Sequence, residues 1–193
     1  MQTNKKVFRY LQSVIMFPLI TASISLDSVQ ALKMPVLSDE PGTTISQTIS
    51  EQAALAEIRK ERADAIDAYY AKYDMPLEGY GMKMVLEAEK NDIDWRLLPA
   101  ISIRESTGGK KKCTSVKNSH FGFGSCKISF ESTDKEIEIV ARNLGGNNPK
   151  TAHHYDGKTT EGILKAYNPP SVVAKYSNQV MAIMEKISPD VDA

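Results

Sequence analysis

The chain has 193 residues, 41% of them apolar and 25% charged, with 24 basic residues against 24 acidic ones. That is room for one ordinary domain with extras, and enough apolar content for a sizeable core. A formal charge of zero, and the lack of any basic stripe interleaved with aromatics, argue against nucleic acid as a partner.

Residues 1–31 follow their own logic. Lys5, Lys6 and Arg9 precede the apolar stretch LQSVIMFPLITASISL, and Ser28-Val29-Gln30-Ala31 supplies small residues where a signal peptidase reads them, so a secretory signal peptide is expected. Pro18 and several Ser and Thr interrupt the apolar run, which falls short of the ~20 residues a bilayer span wants. Contact with a membrane is therefore expected only through this segment, and the protein is expected outside the cytoplasm, secreted or in the cell envelope. Removing residues 1–31 takes away three basic residues and one acidic one, leaving 21 against 23.

Residues 32–50, LKMPVLSDEPGTTISQTIS, hold two prolines and many Ser and Thr without apolar periodicity, which reads as a flexible tether. From Glu51 to Tyr73, Ala, Leu and Ile recur at three- and four-residue spacing among charges, an amphipathic helix. It is expected to lie outside the main unit, as a docking or coiled-coil segment over 51–75. Over Pro76–Asn91, Tyr80, Met84 and Ala88 share one face of a second helix.

Asp92-Ile93-Asp94 then precedes a third helix, DWRLLPAISIRES, with carboxylates where free N–H groups of a first turn want them and Leu97, Leu98 and Ile101 inward. Ser106-Thr107-Gly108-Gly109 ends it. Ile101 and Glu105 lie one above the other on this helix, so the carboxylate stands at the end of the buried stripe. Such a group is costly there unless paired or used. Two readings are open: a surface ion pair with Arg104 or one of Lys110–Lys112, or a proton donor.

Residues 109–131 are rich in Gly, Ser and Lys with alternating aromatics, a loop with a small hairpin. Thr133 with Glu136 makes a capping-box pattern for a helix to Leu144. A short helix follows over about 160–167, capped by Thr159 or Thr160, and a last one carries Val173, Tyr176, Val180, Ile183 and Ile187 on one face. Cys113 and Cys126 enclose twelve residues; in an exported protein such a pair is most simply a disulfide, stabilising by about 3 kcal/mol. A metal site would need two further ligands from His120, His153 and His154; adjacent histidines diverge on any regular element, and His153-His154 reads as a solvated loop. No metal and no cofactor is expected.

Taken in order, Asp94-Trp95-Arg96-Leu97-Leu98, Glu105-Ser106 with Gly108-Gly109, Asn118-Ser119-His120-Phe121-Gly122-Phe123-Gly124, Phe130-Glu131-Ser132 and Ala166-Tyr167-Asn168 resemble the bacterial endo-β-N-acetylglucosaminidase family of cell-wall hydrolases. The skeleton is also similar to lytic transglycosylases and other lysozyme-like enzymes. The resemblance covers residues 76–189 and implies a mainly α, lysozyme-like helical domain with a loop-rich or hairpin excursion, preceded by the separate N-terminal helix. It implies that Glu105 is the general acid and that Ser106, Asn118, Phe121, Gly122, Phe123, Tyr155, Tyr167 and Asn168 bind a peptidoglycan glycan strand.

For Phe121 and Phe123 a small hydrophobic plug, and for Tyr167 a core tyrosine, are the competing readings. Gly108 stands where the family often carries tryptophan, and the loop between Glu105 and Asn118 is short. No second carboxylate is marked; Glu131, Asp134, Asp156 and Glu161 are the candidates. Hydrolysis at N-acetylglucosamine, lytic transglycosylation, a non-catalytic wall-binding module and an envelope adaptor paired through residues 51–73 are the functions this pattern allows.

Overall fold

The computed structural model describes residues 41–187, with side chains from residue 48 onward. The expected signal segment and residues 32–40 of the expected tether lie outside the described residues. Within them the chain is mainly helical, with seven helices and no strand. In chain order these are α1 (Pro41–Lys72), α2 (Gly81–Lys90), α3 (Leu97–Ser106), α4 (Thr133–Leu144), α5 (Ala152–Tyr155), α6 (Thr160–Tyr167) and α7 (Tyr176–Ile187). No described helix is long and apolar enough to cross a membrane.

The core is organised around α3. Leu97, Leu98, Pro99, Ala100, Ile101 and Ser102 are buried in succession, so this helix is enclosed rather than laid on a surface, and an apolar residue is wanted on every side of it. Its one buried hydroxyl pair is satisfied: Ser102 Oγ donates to Pro99 O at 2.8 Å and meets Tyr70 Oη of α1 at 2.8 Å. The helix stops where expected. Thr107 takes the left-handed conformation (φ 54°) and its amide bonds Ile103 O, while that of Gly108 bonds Ser102 O at 3.2 Å, which closes orphan carbonyls of the last turn. The start differs from expectation. Asp94 does not cap the helix directly; its Oδ1 accepts from Arg96 N at 2.8 Å and its carboxylate pairs with the Arg96 guanidinium, so the acidic turn steers the chain into α3 one step earlier.

Two expectations for the N-terminal part are corrected. The tether read over 32–50 gives way to helix from Pro41, because Ser and Thr do not forbid a helix that is already nucleated further along. The helix read over 51–75 as separate is part of the core: Ala63, Ile66 and Tyr70 are buried at helical spacing and pack with α2, α3 and α7. Asp67 on the same helix accepts the amides of Gly79 and Gly81 at 2.9 and 3.0 Å. That carboxylate supplies the first turn of α2 with the cap its own sequence lacks. Residues 48–58 of α1 are exposed throughout.

In the second half, α4 is capped by Ser132, whose Oγ accepts from Lys135 N at 3.1 Å, one residue before the Thr133–Glu136 box. Glu136 is thereby released from capping and turns inward. Residues 109–131 form no hairpin; the excursion is irregular, and the Cys113–Cys126 disulfide crosses it. Thr159 caps α6 through Gly162 N. The pair His153-His154 is exposed, but on the short helix α5 rather than a loop. On α7, Tyr176, Val180, Met184 and Ile187 face the core.

Candidate functional site

A cleft of about 550 Å³ opens at the C-terminal end of α3, lined by Glu105, the segment Gly122–Cys126, Tyr155, Tyr167, Asn168, Pro169 and Val172. Glu105 is half-buried at its edge. The surface ion pair does not form. Arg104 instead donates to Gln179 Oε1 at 2.8 Å and lies over the Tyr176 ring at 5.6 Å, and Glu105 makes no ion pair with a described residue.

What holds Glu105 is a phenol. Tyr176 Oη donates to Glu105 Oε1 at 2.7 Å. Burial first, and then the neighbouring Glu105 carboxylate, push the Tyr176 hydroxyl far above the ordinary phenol range, so it stays a protonated donor. Oε1 is thus occupied as an acceptor, and Oε2 is turned toward Gly122. A Cβ built on Gly122 would stand 2.9 Å from Oε2, and its φ of +64° is one that glycine adopts freely. Glycine is needed there twice over, for backbone conformation and for the room beside the acid.

The wall beyond is aromatic. The Phe123 and Tyr167 rings lie 6.3 Å apart, and Tyr167 stacks on Tyr176 at 6.1 Å with an interplanar angle of 16°. Tyr167 Oη donates to Phe121 O, which ties α6 to the loop wall. Burial, then the charge of Glu105, raises the Tyr167 hydroxyl well above its usual range, and burial raises that of Tyr155. Neither phenol is suited to serve as a base.

Of the residues singled out from sequence, Glu105, Gly122, Phe123, Tyr155, Tyr167 and Asn168 meet in the cleft. Three do not line it. Ser106 is 3% exposed; its Oγ donates to Ser102 O and accepts from Gly109 N, a helix-end role. Asn118 has φ 48° and donates from Nδ2 to Phe130 O and Glu131 O at 3.0 and 3.1 Å, bracing the loop across its base. Phe121 is fully buried in the core, the plug reading, while Phe123 two residues on reaches the cleft. The predicted Cys113–Cys126 bridge forms, and Cys126 is itself part of the cleft wall.

None of the four candidates for a second acid lines this cleft. Glu161 pairs with Lys165 at 2.6 Å, and Asp156 lines a neighbouring cavity of about 420 Å³ that shares only Tyr155 with the cleft. Glu105 is the one carboxylate among the lining residues. Among the described residues, no group of three or more His, Cys, Asp or Glu could hold a metal ion.

Two residues at the site, Tyr176 and Glu136, carry little local signal of their tasks. Tyr176 sat in the apolar stripe of α7 and read as core; its hydroxyl, the one polar atom in that stripe, was the available signal. Glu136 read as a cap, yet Ser132, a better cap three residues before Lys135, left it without that duty. Comparison with protein-family models, with curated proteins and with solved structures finds no match.

Proposed function

We propose that this chain is an exported glycoside hydrolase of lysozyme-like build that cuts the glycan strand of peptidoglycan at N-acetylglucosamine, with Glu105 as general acid. The observation that carries the reading is a single carboxylate at the edge of an aromatic-lined cleft, with one oxygen held by a phenol and the other beside Gly122, where the lack of a side chain leaves room. The disulfide suits an oxidising, extracytoplasmic setting.

A lone carboxylate fits a substrate-assisted route, an accepted exception to the two-carboxylate scheme. Because Oε1 accepts from Tyr176, Oε2 is the oxygen that hands over the proton in the proposed step. The proton passes to the glycosidic oxygen as the C1–O bond breaks and its electron pair moves to the leaving oxygen. The 2-acetamido oxygen of the same sugar bonds to C1. Water then adds at C1, giving its proton back to Glu105, as the bond between C1 and the acetamido oxygen breaks and its electron pair restores the amide carbonyl. Phe123 and Tyr167 offer flat apolar faces on which pyranose rings stack.

The same lone acid also fits a lytic transglycosylase, in which the muramic acid hydroxyl replaces water and closes a 1,6-anhydro ring. One experiment addresses both. Purified peptidoglycan is digested with the wild type and with Glu105→Gln, and the products are reduced with borohydride and identified by mass spectrometry. New reducing N-acetylglucosamine ends, absent with Glu105→Gln, are expected. Anhydro-muramic ends would assign the transglycosylase, and wall binding without any cleavage by the wild type would leave a non-catalytic module.

A further inference from the structure

The loop wall of the cleft hangs on one buried carboxylate that takes no part in the chemistry above. Glu136, on the first turns of α4, is completely buried. Its Oε1 accepts from His120 N at 2.7 Å and from Phe121 N at 3.0 Å, and its Oε2 meets His120 Nδ1 at 2.7 Å. A carboxylate with this many partners on one short segment fixes it in position and in orientation. The same segment is gripped from the other side, where Phe121 O accepts from Tyr167 Oη. The next residue is Gly122, whose backbone runs beside Glu105 Oε2. The His120 ring in turn lies against Gly109, where a Cβ would stand 3.1 Å from Cδ2, so the imidazole also touches the turn that follows the acid.

We propose that Glu136 is a positioning residue for the cleft: it sets the distance between the Gly122 wall and the Glu105 carboxylate by holding the His120 and Phe121 amides. The inference rests on the reading of Glu105 as the acid. It gives a fully buried carboxyl side chain a task that helix capping, already met by Ser132, does not. A wall displaced by about 1 Å changes the room beside Oε2, and misplacements of that size cost up to about 100-fold in rate.

Two variants separate reach from charge. Glu136→Gln keeps the length and the oxygen that takes both amides; its NH2 can donate to His120 Nδ1 once the imidazole proton moves to Nε2. Glu136→Asp keeps the charge but withdraws the carboxylate by one methylene, about 1.5 Å, so both amides and the imidazole cannot be served together. The readouts are kcat and KM on a soluble N-acetylglucosamine-containing glycan fragment, and amide hydrogen exchange resolved to residues 118–124. Glu136→Asp is expected to lower kcat at least about tenfold with KM shifting less than about threefold. Exchange at His120, Phe121 and Gly122 should rise at least about tenfold while α3 and α7 stay protected. Glu136→Gln should retain most of the activity and protection. The proposal is overturned if Glu136→Asp matches the wild type, if Gln is the more damaging change, or if exchange rises evenly through the helices. Should the wild type not cleave glycan, the proposed function fails, and the exchange data still decide whether Glu136 holds the segment.

Discussion

Glu105 and Gly122 stand against each other in the lining of the cleft, but they are held there by different means. Glu105 stands on α3, a helix enclosed on all sides and locked at its end by Thr107 and by the Tyr176 hydroxyl. Gly122 stands on an irregular segment with left-handed backbone at Asn118, Gly122, Gly124, Ser125 and Cys126, which no ladder of hydrogen bonds supports. Side chains hold that wall: Glu136 at His120 and Phe121, Asn118 at Phe130 and Glu131, and the disulfide at Cys126. The lesson is that the acid's side is set by helix packing, whereas the loop side depends on a few bonds that single substitutions remove. Changes on the helix side should alter chemistry with little effect on stability. Changes on the loop side should alter both.

The comparison can be broken hardest at the acid. Glu105→Gln is expected to lower glycan cleavage by about 1,000-fold, within the range a general acid contributes, while the melting temperature stays within a few degrees of wild type. A large drop in melting temperature would show the helix side to be less independent than described.

Gly122→Ala comes next. Its Cβ would stand 2.9 Å from Glu105 Oε2 and its φ is left-handed, so activity should fall about 100-fold and stability by about 1–2 kcal/mol. Steady-state kinetics and denaturant titration check the two together. Replacing Cys113 and Cys126 by serine should destabilise by about 3 kcal/mol in urea and lower activity about tenfold through the slackened wall. Equal activity with reduced and oxidised protein would remove the bridge from the site.

On the helix side, Tyr176→Phe removes the donor to Oε1 and leaves the stacked ring. A hydrogen bond that orients the acid carries about 0.5–1.5 kcal/mol, and a rate loss of about tenfold is expected, with KM nearly unchanged. The smallest effect concerns alkaline pH. Folding raises the hydroxyl pKa of Tyr70, Tyr167 and Tyr176 by burial. Above about pH 10, the ordinary phenol value, the unfolded chain therefore loses protons that the folded chain keeps. Stability from these groups is fully present below that pH and is lost as pH rises above it. Thermal melts from pH 8 to 11.5 should show a plateau and then a decline.

The helices were legible in the sequence because apolar spacing and breakers mark them: the stripe of α3, the Thr107–Gly109 stop and the face of α7 stand where periodicity puts them. Boundaries were less legible. Ser132 and Thr133 are both good caps, and only the orientation of α4 decides between them. The docking of α1 was hidden because Ala63, Ile66 and Tyr70 look the same on a coiled-coil face as on a core face. In the cleft, Glu105 and Gly122 could be named from motif order, but Phe121 and Phe123 could not be assigned to core and cleft by spacing alone. In an irregular segment there is no period to say which ring turns inward. The tasks of Tyr176 and Glu136 depend on contacts 71 and 16 residues away along the chain, which local pattern does not encode.

Cys126 has one more consequence. Helix formation needs no oxidant, so a chain whose thiols are still reduced already carries its acid on α3, while the loop wall lacks one of its ties. On the proposed reading, activity then becomes conditional on oxidation of the two thiols as well as on the fold. A glycan hydrolase of this build would be held to a fraction of its rate inside the cell that makes it, and reach full rate only after oxidation, a form of latency that needs no inhibitor and no propeptide.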